Sequence, residues 1–587
     1  MATFSAAAAQ TNNQRIVLTE LDISVDDVSL MLPFEAGIYC WTMTQSETVV
    51  AASYWYTVFA ADTEVDGTDY NIQSLRVNNQ VYTKVSSLAD LRTTNSSFYY
   101  NNTLNILYIH FENGSKPWWM YTISPGGVWG FTDQGRKDEI DGCYWGNVYY
   151  EPRITSELSL KQTKDPDFYG IMAFDSITIE HDNADGFFDT FPNMNLFGQP
   201  YRVKVGYTNV DYDDFETVYS GFVEGPSFPD LSTMQLSVMD QRKALSRSLP
   251  TRTVTSTAYT NLNEDDENKP KPLAWGAVRN APCICLNKDE TTPASYTYLF
   301  LDTTDHAAGA LTQVYAGGVA VAHGGESLAN GTFTLTTTLA DDGKAEVTAD
   351  FTGFDGITNG LDVIKDILTE YADVTYSATT YDTTEWAAEQ TDAANIGLWL
   401  GQGNEKKISE VIELIGTSLD GSFLVLGDGR YTFRSWDSSR ASVYTILQDE
   451  ILGEPAIEYP PDEYLSSVVV LYSPDNNGGD SLRVENTDYE TAAANTYKRY
   501  EQKEYETVLT SSSDADDLAE AIITRRKAIV PTVKLSLALY PDFEIMQFVT
   551  ATILRNSGTT IIPESVYEVV EIDPLNFEVS LKWVEYT

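Results

Sequence analysis

The stretch YRVKVGY, residues Tyr201–Tyr207, alternates apolar and polar side chains, and this period of two predicts a half-buried β-strand. Two similar runs follow it, Thr217–Val223 and Met234–Asp240, and two precede it, Ser156–Gln162 and Ile177–Glu180. Turn residues separate these runs at a spacing of roughly 12–20 residues, which favours an antiparallel barrel or sandwich. We therefore predict a first β-barrel domain over residues 151–255.

The preceding 150 residues show the same alternation in shorter runs between Gly, Asn and Asp. Thr103–Phe111 is one such run, and Ser97–Asn102 supplies another strand followed by an Asn-Asn turn. This pairing predicts a β-hairpin. Residues 1–150 are interpreted as an N-terminal β-domain.

Downstream of the first barrel, a polar connection ends in Lys269–Pro272, and small-residue strands such as Gly331–Thr337 follow. Residues 256–360 are interpreted as a linker and an inserted β-module. Residues 361–454 read as a small α/β module. It holds helices beginning near Leu361 and Ile408, whose apolar residues recur at helical spacing, and a hairpin over Gly421–Arg434.

The last stretch, 455–587, returns to strands, and we predict a second β-barrel domain there. One helix, Asp514–Lys527, crosses between the strands. The predicted strands are Ser466–Tyr472, Val533–Leu537, Val566–Ile572 and Phe577–Trp583. The fold class is thus mainly β with small α/β parts, in a multidomain chain with two antiparallel β-barrel domains plus inserted β and α/β modules. A chain of 587 residues fits roughly three to five domains.

The charge balance restricts the partners of this protein. Asp and Glu total 86 against 37 Lys and Arg, a formal charge of −49 spread along the chain. Such a polyanion repels nucleic acid and anionic lipid, so we expect no sequence-specific nucleic-acid binding. A wall without basic patches could instead line a channel through which DNA passes without sticking.

Cysteine usage and the amino terminus indicate where the chain is made. Cys40, Cys143, Cys283 and Cys285 are too few and too scattered for a disulfide framework, which favours a reducing cytoplasm. The spacing of Cys283 and Cys285 is not that of a zinc or redox site, and both are expected in the core. We expect no secretory signal and no membrane insertion, because the chain lacks a basic n-region and any apolar run near 20 residues.

Catalytic and ligand-binding patterns are weak. His110, His181, His306 and His323 lie far apart without ligand spacing, so the sequence predicts no metal site and no cofactor. Abundant carboxylates could form a glycosidase pair by chance, but no local motif marks one, and we predict no enzymatic activity. The short string Gly401–Gly403 is not a phosphate loop.

Two acidic or aromatic groups admit a second interpretation. Asp182, Asp185 and Asp189 surround Gly186 without the calcium-loop pattern, so an exposed turn is favoured over a cation site. Trp118–Tyr121 and Tyr54–Tyr56 could stack on sugar rings, although alternation favours a core or a subunit interface.

Several segments resemble a known family. Asp182–Asp189, Val218–Val223 leading to Leu236–Asp240, the passage Lys271–Pro282, and the C-terminal pair Phe548–Thr550 and Val569–Asp573 are similar to segments of bacteriophage baseplate and tail-tip hub proteins. The resemblance covers roughly residues 150–587. The chain departs from the family in its long N-terminal module and in the insertion near residues 290–360.

The resemblance implies a homotrimer in which each chain contributes two tail-tube-like barrels, near 151–255 and 455–587. Such a hub joins a sixfold tail tube to a threefold spike or fibre and leaves a channel for DNA. Its implied neighbours are the tail tube or distal tail protein and the spike, tape measure or fibre proteins. The implied location is the virion tail or baseplate, after assembly in the host cytoplasm. The alternative is a host-surface carbohydrate-binding tail fibre or receptor-binding protein.

Overall fold

The computed structural model describes most of the chain beyond residue 152, and strands before it. Up to residue 152 it describes residues 85–87 and the backbone of ten strands, β1 to β10. From residue 153 it describes all residues except 156–157, 165–170, 173–175, 187, 190–195, 208–214, 241–244, 289, 291–294, 337–345, 438, 491–495, 539–542, 556–557, 559 and 585–587.

The strands up to residue 249 are short, apart from β1, β14 and β15. They are β1 (Arg15–Ile23), β2 (Met43–Val49), β3 (Tyr54–Ala60), β4 (Leu75–Val77), β5 (Gln80–Lys84), β6 (Ser97–Asn101), β7 (Ile106–His110), β8 (Gly127–Thr132), β9 (Cys143–Trp145), β10 (Val148–Glu151), β11 (Gln162–Thr163), β12 (Ile171–Met172), β13 (Ile177–Asp182), β14 (Pro200–Tyr207), β15 (Glu216–Asp230), β16 (Thr233–Met239) and β17 (Ser248–Leu249).

The strands between residues 273 and 446 build the inserted modules. They are β18 (Leu273–Pro282), β19 (Ile284–Cys285), β20 (Ser295–Leu299), β21 (Ala308–Ala316), β22 (Val319–Val321), β23 (Gly324–Ser327), β24 (Thr332–Thr336), β25 (Val347–Phe354), β26 (Gly397–Leu400), β27 (Lys406–Lys407), β28 (Gly421–Val425), β29 (Tyr431–Ser435) and β30 (Tyr444–Ile446).

The remaining strands and the α-helices of the described part complete the fold. The strands are β31 (Ile451–Glu458), β32 (Ser467–Tyr472), β33 (Leu482–Asn486), β34 (Gln502–Glu506), β35 (Thr532–Leu537), β36 (Phe548–Leu554), β37 (Thr560–Asp573) and β38 (Glu578–Trp583). The helices are α1 (Gly360–Tyr371), α2 (Thr383–Asp392), α3 (Ile408–Ser418) and α4 (Ser512–Arg526). The prediction of a mainly β chain with small α/β parts is confirmed.

The first large sheet has eight strands in the order β13-β16-β15-β14-β1-β8-β10-β9. Alternating burial along β13 and β16 shows why the sequence pattern forms a sheet, since one face enters the core and the other faces outward. The N-terminal strand β1 pairs antiparallel with β14 over seven residue pairs, from Arg15 opposite Tyr207 to Leu21 opposite Tyr201. Four strands from the first 151 residues therefore complete this sheet. The hairpin predicted near residues 97–111 is confirmed as β6 and β7, in another sheet.

The second large sheet runs β30-β36-β37-β38-β35-β31, and β11 also pairs with β37. β30 and β31 lie at opposite edges of this order, yet only residues 447–450 separate them in the chain. A flat sheet of this width would place its edges about 24 Å apart, whereas so short a link spans at most about 18 Å. The sheet must therefore curl.

The modules between the two large sheets pack around their own core. Helices α1 and α3 bury one face each, as their apolar spacing predicts. Helix α4 covers a separate sheet of order β33-β32-β34, so the strand predicted at Ser466–Tyr472 forms but lies outside the second large sheet. In the part of the chain that the structure describes, no helix has the length and apolar character needed to cross a bilayer.

Candidate functional site: two repeated β-units and their junction

The two large sheets contain the same four-stranded unit. In the first unit, β14, β15 and β16 form a meander, and β13 returns to pair antiparallel with β16. In the second unit, β36, β37 and β38 form a meander, and β35 pairs antiparallel with β38. The two units thus have the same order of strands along the chain and the same order of strand pairing. The first unit is β13–β16 and the second unit is β35–β38.

In each unit, the third strand in chain order is the longest. β15 has 15 residues and β37 has 14. Both strands carry β-bulges against both of their neighbours, at Val203/Lys204 and Val223/Gly225 in the first unit and at Ala551/Ile553 and Val569/Glu571 in the second. Bulges bend a strand and increase its twist, so they provide the curvature that each sheet needs.

The end of the long strand is an aspartate in both units, but the turns differ. In the first unit Asp230 begins a short turn, and its Oδ1 accepts hydrogen bonds from the Ser232 amide at 2.8 Å and hydroxyl at 2.7 Å. These bonds, from the hydroxyl first, lower the pKa of Asp230 below its usual value. Leu231 at the tip of the turn is 87% exposed.

In the second unit Asp573 is buried, only 1% exposed. Its Oδ1 accepts hydrogen bonds from the amides of Leu575 and Asn576, each at 3.1 Å, and its Oδ2 accepts one from the Asn576 side chain at 2.9 Å. The Ser159 hydroxyl donates to Oδ2 at 2.6 Å and the Leu160 amide donates to Oδ1 at 3.3 Å. This carboxylate therefore joins the turn to a segment more than 400 residues earlier.

That segment, Leu158–Lys164, is named the crossing segment. The sequence prediction of a strand over Ser156–Gln162 is wrong for residues 158–161, which have no regular structure because Ser159 and Leu160 bond to Asp573 instead of to a strand. Strand pairing begins at Gln162, opposite Ile572 of β37. A segment that precedes the first unit is therefore an added part of the second.

An ion-pair group closes the junction at the end of the crossing segment. Lys164 pairs with the buried Glu568 of β37, and Arg525 of α4 pairs with the buried Asp420. Burial lowers the pKa of Lys164, which Glu568 opposes. Burial likewise raises the pKa of Asp420, which Arg525 opposes. Removing one partner would leave a charge buried alone, so the pairs fix how these elements meet.

The α/β module is held to the second unit by one buried arginine. Arg434 of β29 donates from Nε to Glu385 at 2.6 Å and from Nη1 to the carbonyl of Ile545 at 2.8 Å, and it also pairs with Glu544. Burial alone would lower the pKa of Arg434, but Glu544 and Glu385 outweigh it and the pKa is raised. The guanidinium thus stays charged within the interface.

A continuous hydrophobic core spans both units. Its buried members include Val203 and Leu236 of the first unit, Val549 and Leu581 of the second, and Leu160 of the crossing segment. Burial of apolar surface is the main stabilising contribution in such a core. The two units are therefore parts of one packed body.

The three aspartates of the acidic turn at residues 182–189 each accept hydrogen bonds from protein groups. Asp185 forms a bidentate pair with Arg153, at 2.9 and 2.8 Å, Asp182 accepts from the Ala184 amide at 3.0 Å, and Asp189 accepts from the Asn183 side chain at 3.0 Å. These bonds support the interpretation as a turn.

The structure describes the side chains of five of the histidines and cysteines that the sequence singles out: His181, His306, His323, Cys283 and Cys285. His181 is buried on β13, and burial lowers its pKa to about 3. Cys283 and Cys285 are free thiols whose pKa values are raised by burial, as expected of core residues. His323 lies near Glu326, with a His Nε2 to Glu Oε2 distance of 3.7 Å.

Other residues of interest are placed only in part. In the Gly401–Gly403 turn, the Gly403 amide donates to the Glu405 carboxylate at 3.1 Å. Tyr54–Tyr56 lie on β3, His110 on β7 and Cys143 on β9, where only the backbone is described. Trp118–Tyr121 and Cys40 lie outside the described residues.

The structure brings together one group of ligand-type side chains that sequence spacing missed. Nitrogen or oxygen atoms of His306, Asp366 and Glu370 lie within 4.8 Å of one another. The only local signal was the spacing of Asp366 and Glu370 by four residues, which places them on one face of a helix. His306 is 60 residues away from Asp366, and only the fold reveals it.

Comparison with known proteins gives solved structures alone, since no protein-family model and no curated protein matches the chain. The chain is similar to a tail protein from Neisseria meningitidis MC58, with 10% identity over 73% of this chain and 94% of that one, at a TM-score of 0.36. It is also similar to the 43 kDa tail protein of prophage MuSo2 from Shewanella oneidensis, with 12% identity over 75% and 97% and a TM-score of 0.36.

A third similar structure is a chain of the virion of a native gene transfer agent particle, with 11% identity over 55% of this chain and 85% of that one, at a TM-score of 0.38. The names agree with the resemblance to phage tail proteins that the sequence indicates. Every TM-score quoted is below 0.5.

Proposed function

We propose that this protein is the structural hub of a phage tail baseplate or tail tip, and that it acts as a homotrimer located in the virion. The observation that carries the proposal is the repeated four-stranded unit with identical connectivity. A repeated unit is what a symmetry adaptor needs. Three copies of a chain with two equivalent units present six similar units around one threefold axis.

The shared core and the crossing segment support this role. An adaptor must hold its two units in a fixed relation, since a flexible linker would not keep six units in one ring. Leu160 packs in the common core, and Ser159 and Lys164 bond to β37 of the second unit. The contacts provide the rigidity that the proposal requires.

The charge of the chain supports a DNA passage through the ring. A formal charge of −49 leaves few sites to which phosphates could bind. The mechanism of the proposed hub is therefore geometric, with no catalytic step. Its partners would be the tail tube or distal tail protein on the sixfold side and the spike, tape measure or fibre proteins on the threefold side.

The test is the mass and shape of the purified full chain. We expect light scattering to give three copies, and electron microscopy to show a ring of six similar lobes around a hole. A monomer at micromolar concentration, or a trimer whose two units lie at different radii from the axis, would contradict the proposal. A glycan array on the same sample tests the alternative, because sugar binding by a chain that forms no ring would favour a receptor-binding protein.

A further inference from the structure

Three side chains from distant parts of the inserted modules converge beside helix α1. Asp366 and Glu370 lie one turn apart on α1, and His306 lies in the loop before β21. The His306 Nε2 to Asp366 Oδ1 distance is 2.7 Å. One imidazole nitrogen and two carboxylate groups therefore face a common point.

The central carboxylate is held in place by a buried group. The indole N–H of Trp275, a fully buried residue, donates to Asp366 Oδ2 at 2.7 Å, which leaves Oδ1 directed at His306. The His306 ring packs against Phe354 with the ring centroids 5.2 Å apart. Such outer hydrogen bonds orient ligands at metal sites.

The charge of this group is not balanced by basic side chains. Among the residues that the structure describes, no Lys or Arg forms an ion pair with Asp366 or Glu370. The neighbouring cations are engaged elsewhere: Arg252 forms a bidentate pair with Asp305, at 2.7 Å for both bonds, and Lys365 pairs with Asp362 at 2.7 Å. His306 pairs with Asp366, and the Glu370 carboxylate lies within 4.8 Å of both.

We propose that His306, Asp366 and Glu370 bind a divalent transition-metal ion, with zinc the best fit. Zinc accepts imidazole nitrogen and carboxylate oxygen together, whereas magnesium and calcium prefer oxygen ligands alone. Glu370 is exposed, so its side chain can turn toward the ion and water can fill the remaining position. On binding, His306 takes the tautomer protonated at Nδ1, so that the Nε2 lone pair coordinates the ion in place of the hydrogen bond to Asp366.

The site would join three elements of the inserted modules. His306 belongs to the loop before β21, Asp366 and Glu370 to α1, and Trp275 to β18. An ion that binds the folded state and not the unfolded chain raises stability in proportion to the logarithm of its concentration over its Kd. The role is therefore structural and is separate from the proposed hub function.

The test uses the full chain after chelator treatment, titrated with Zn²⁺ and with Co²⁺. We expect one equivalent to bind, a visible Co²⁺ spectrum of nitrogen and oxygen ligands, and a rise in the melting temperature. His306→Ala and the exposed Glu370→Gln should each weaken binding by about tenfold or more. His323→Ala is the matched control, because His323 also neighbours a glutamate, Glu326, and should bind as the wild type does.

Three results would overturn the proposal. One is the absence of saturable binding at micromolar metal. Another is an equal loss of affinity in His306→Ala and His323→Ala. The third is a sulfur-to-cobalt charge-transfer band, which would assign the ion to cysteine ligands. Circular dichroism of Glu370→Gln separates loss of a ligand from loss of folding.

Discussion

The two repeated units share one connectivity but differ in what surrounds the end of their long strand. In the first unit, the turn after Asp230 projects into solvent with Leu231 at its tip. In the second, the turn after Asp573 is buried and Leu575 is fully enclosed. The same backbone topology thus gives a free hairpin in one unit and a docked hairpin in the other. The difference lies in the crossing segment, which covers the second turn.

The edges of the two units are also completed differently. Strand β14 of the first unit pairs antiparallel with β1, whereas the equivalent strand β36 of the second unit pairs parallel with β30. A repeated unit therefore need not have repeated edges. In the proposed ring of six units, such differences would make alternate positions unlike one another. A threefold-symmetric partner could then recognise every second position, whereas a sixfold-symmetric partner would use what all six units share.

The largest expected effect comes from truncating one leucine in each of the two hairpin turns and comparing the losses of stability. Leu575→Ala should lower the free energy of unfolding by about 3 kcal/mol, because it leaves a cavity in the core. Leu231→Ala, at the exposed tip, should stay within about 0.5 kcal/mol. Denaturant unfolding with hydrogen exchange over β37 and β15 measures both. Equal losses would remove the distinction between docked and free turns.

The second prediction concerns the two aspartates. Asp573→Ala should cost about 2 kcal/mol, because the Ser159 hydroxyl and the amides of Leu160 and Leu575 lose their acceptor. Asp230→Ala is the matched control, and we expect no resolvable loss from this exposed position. Exchange protection of the crossing segment should fall only in the first variant. If protection stays unchanged, Asp573 does not hold the segment.

The third prediction uses pH to distinguish the units, since all four histidines lie outside residues 444–587. The pKa of His181 is lowered to about 3 by burial, below its usual 6.5. The unfolded chain therefore binds the proton first, and stability falls as pH falls below 6.5, by about 2 kcal/mol at pH 5.

Hydrogen exchange at pH 7 and pH 5, corrected for the intrinsic rates, measures this effect. We expect β13 and β16 to lose protection while β35 and β38 keep it. His181→Phe should abolish the difference, and His323→Ala should preserve it. A loss of protection that persists in His181→Phe would assign the acid sensitivity to carboxylates instead.

The smallest expected effect tests one hydrogen bond of the junction. Ser159→Ala should cost about 1 kcal/mol, because Asp573 keeps its other donors. Ser232→Ala, which removes the corresponding hydroxyl in the first unit, is the control and should change stability less. Thermal unfolding of both variants provides the comparison. A larger loss for Ser232→Ala would contradict the view that the second turn depends on the crossing segment.

Much of the local structure was predictable. Alternation identified β13, β14 and β16, and helical spacing identified α1 and α3, because these patterns reflect which side of a single element faces the core. The same method failed at residues 158–161, where an alternating run has no strand partner along most of its length. Alternation reports burial on one side and does not report what the backbone bonds to.

The sequence by itself determined the β-rich character of the chain, helices α1, α3 and α4, and the strongly acidic charge, since all of these follow from residue type and short-range spacing. It did not predict α2. The tertiary structure alone decided that the crossing segment pairs with β37, that β1 completes the first sheet, and that His306 meets Asp366 and Glu370. Those contacts join residues far apart in the chain. Their selection depends on the packing free energy of the whole fold, which no local pattern contains.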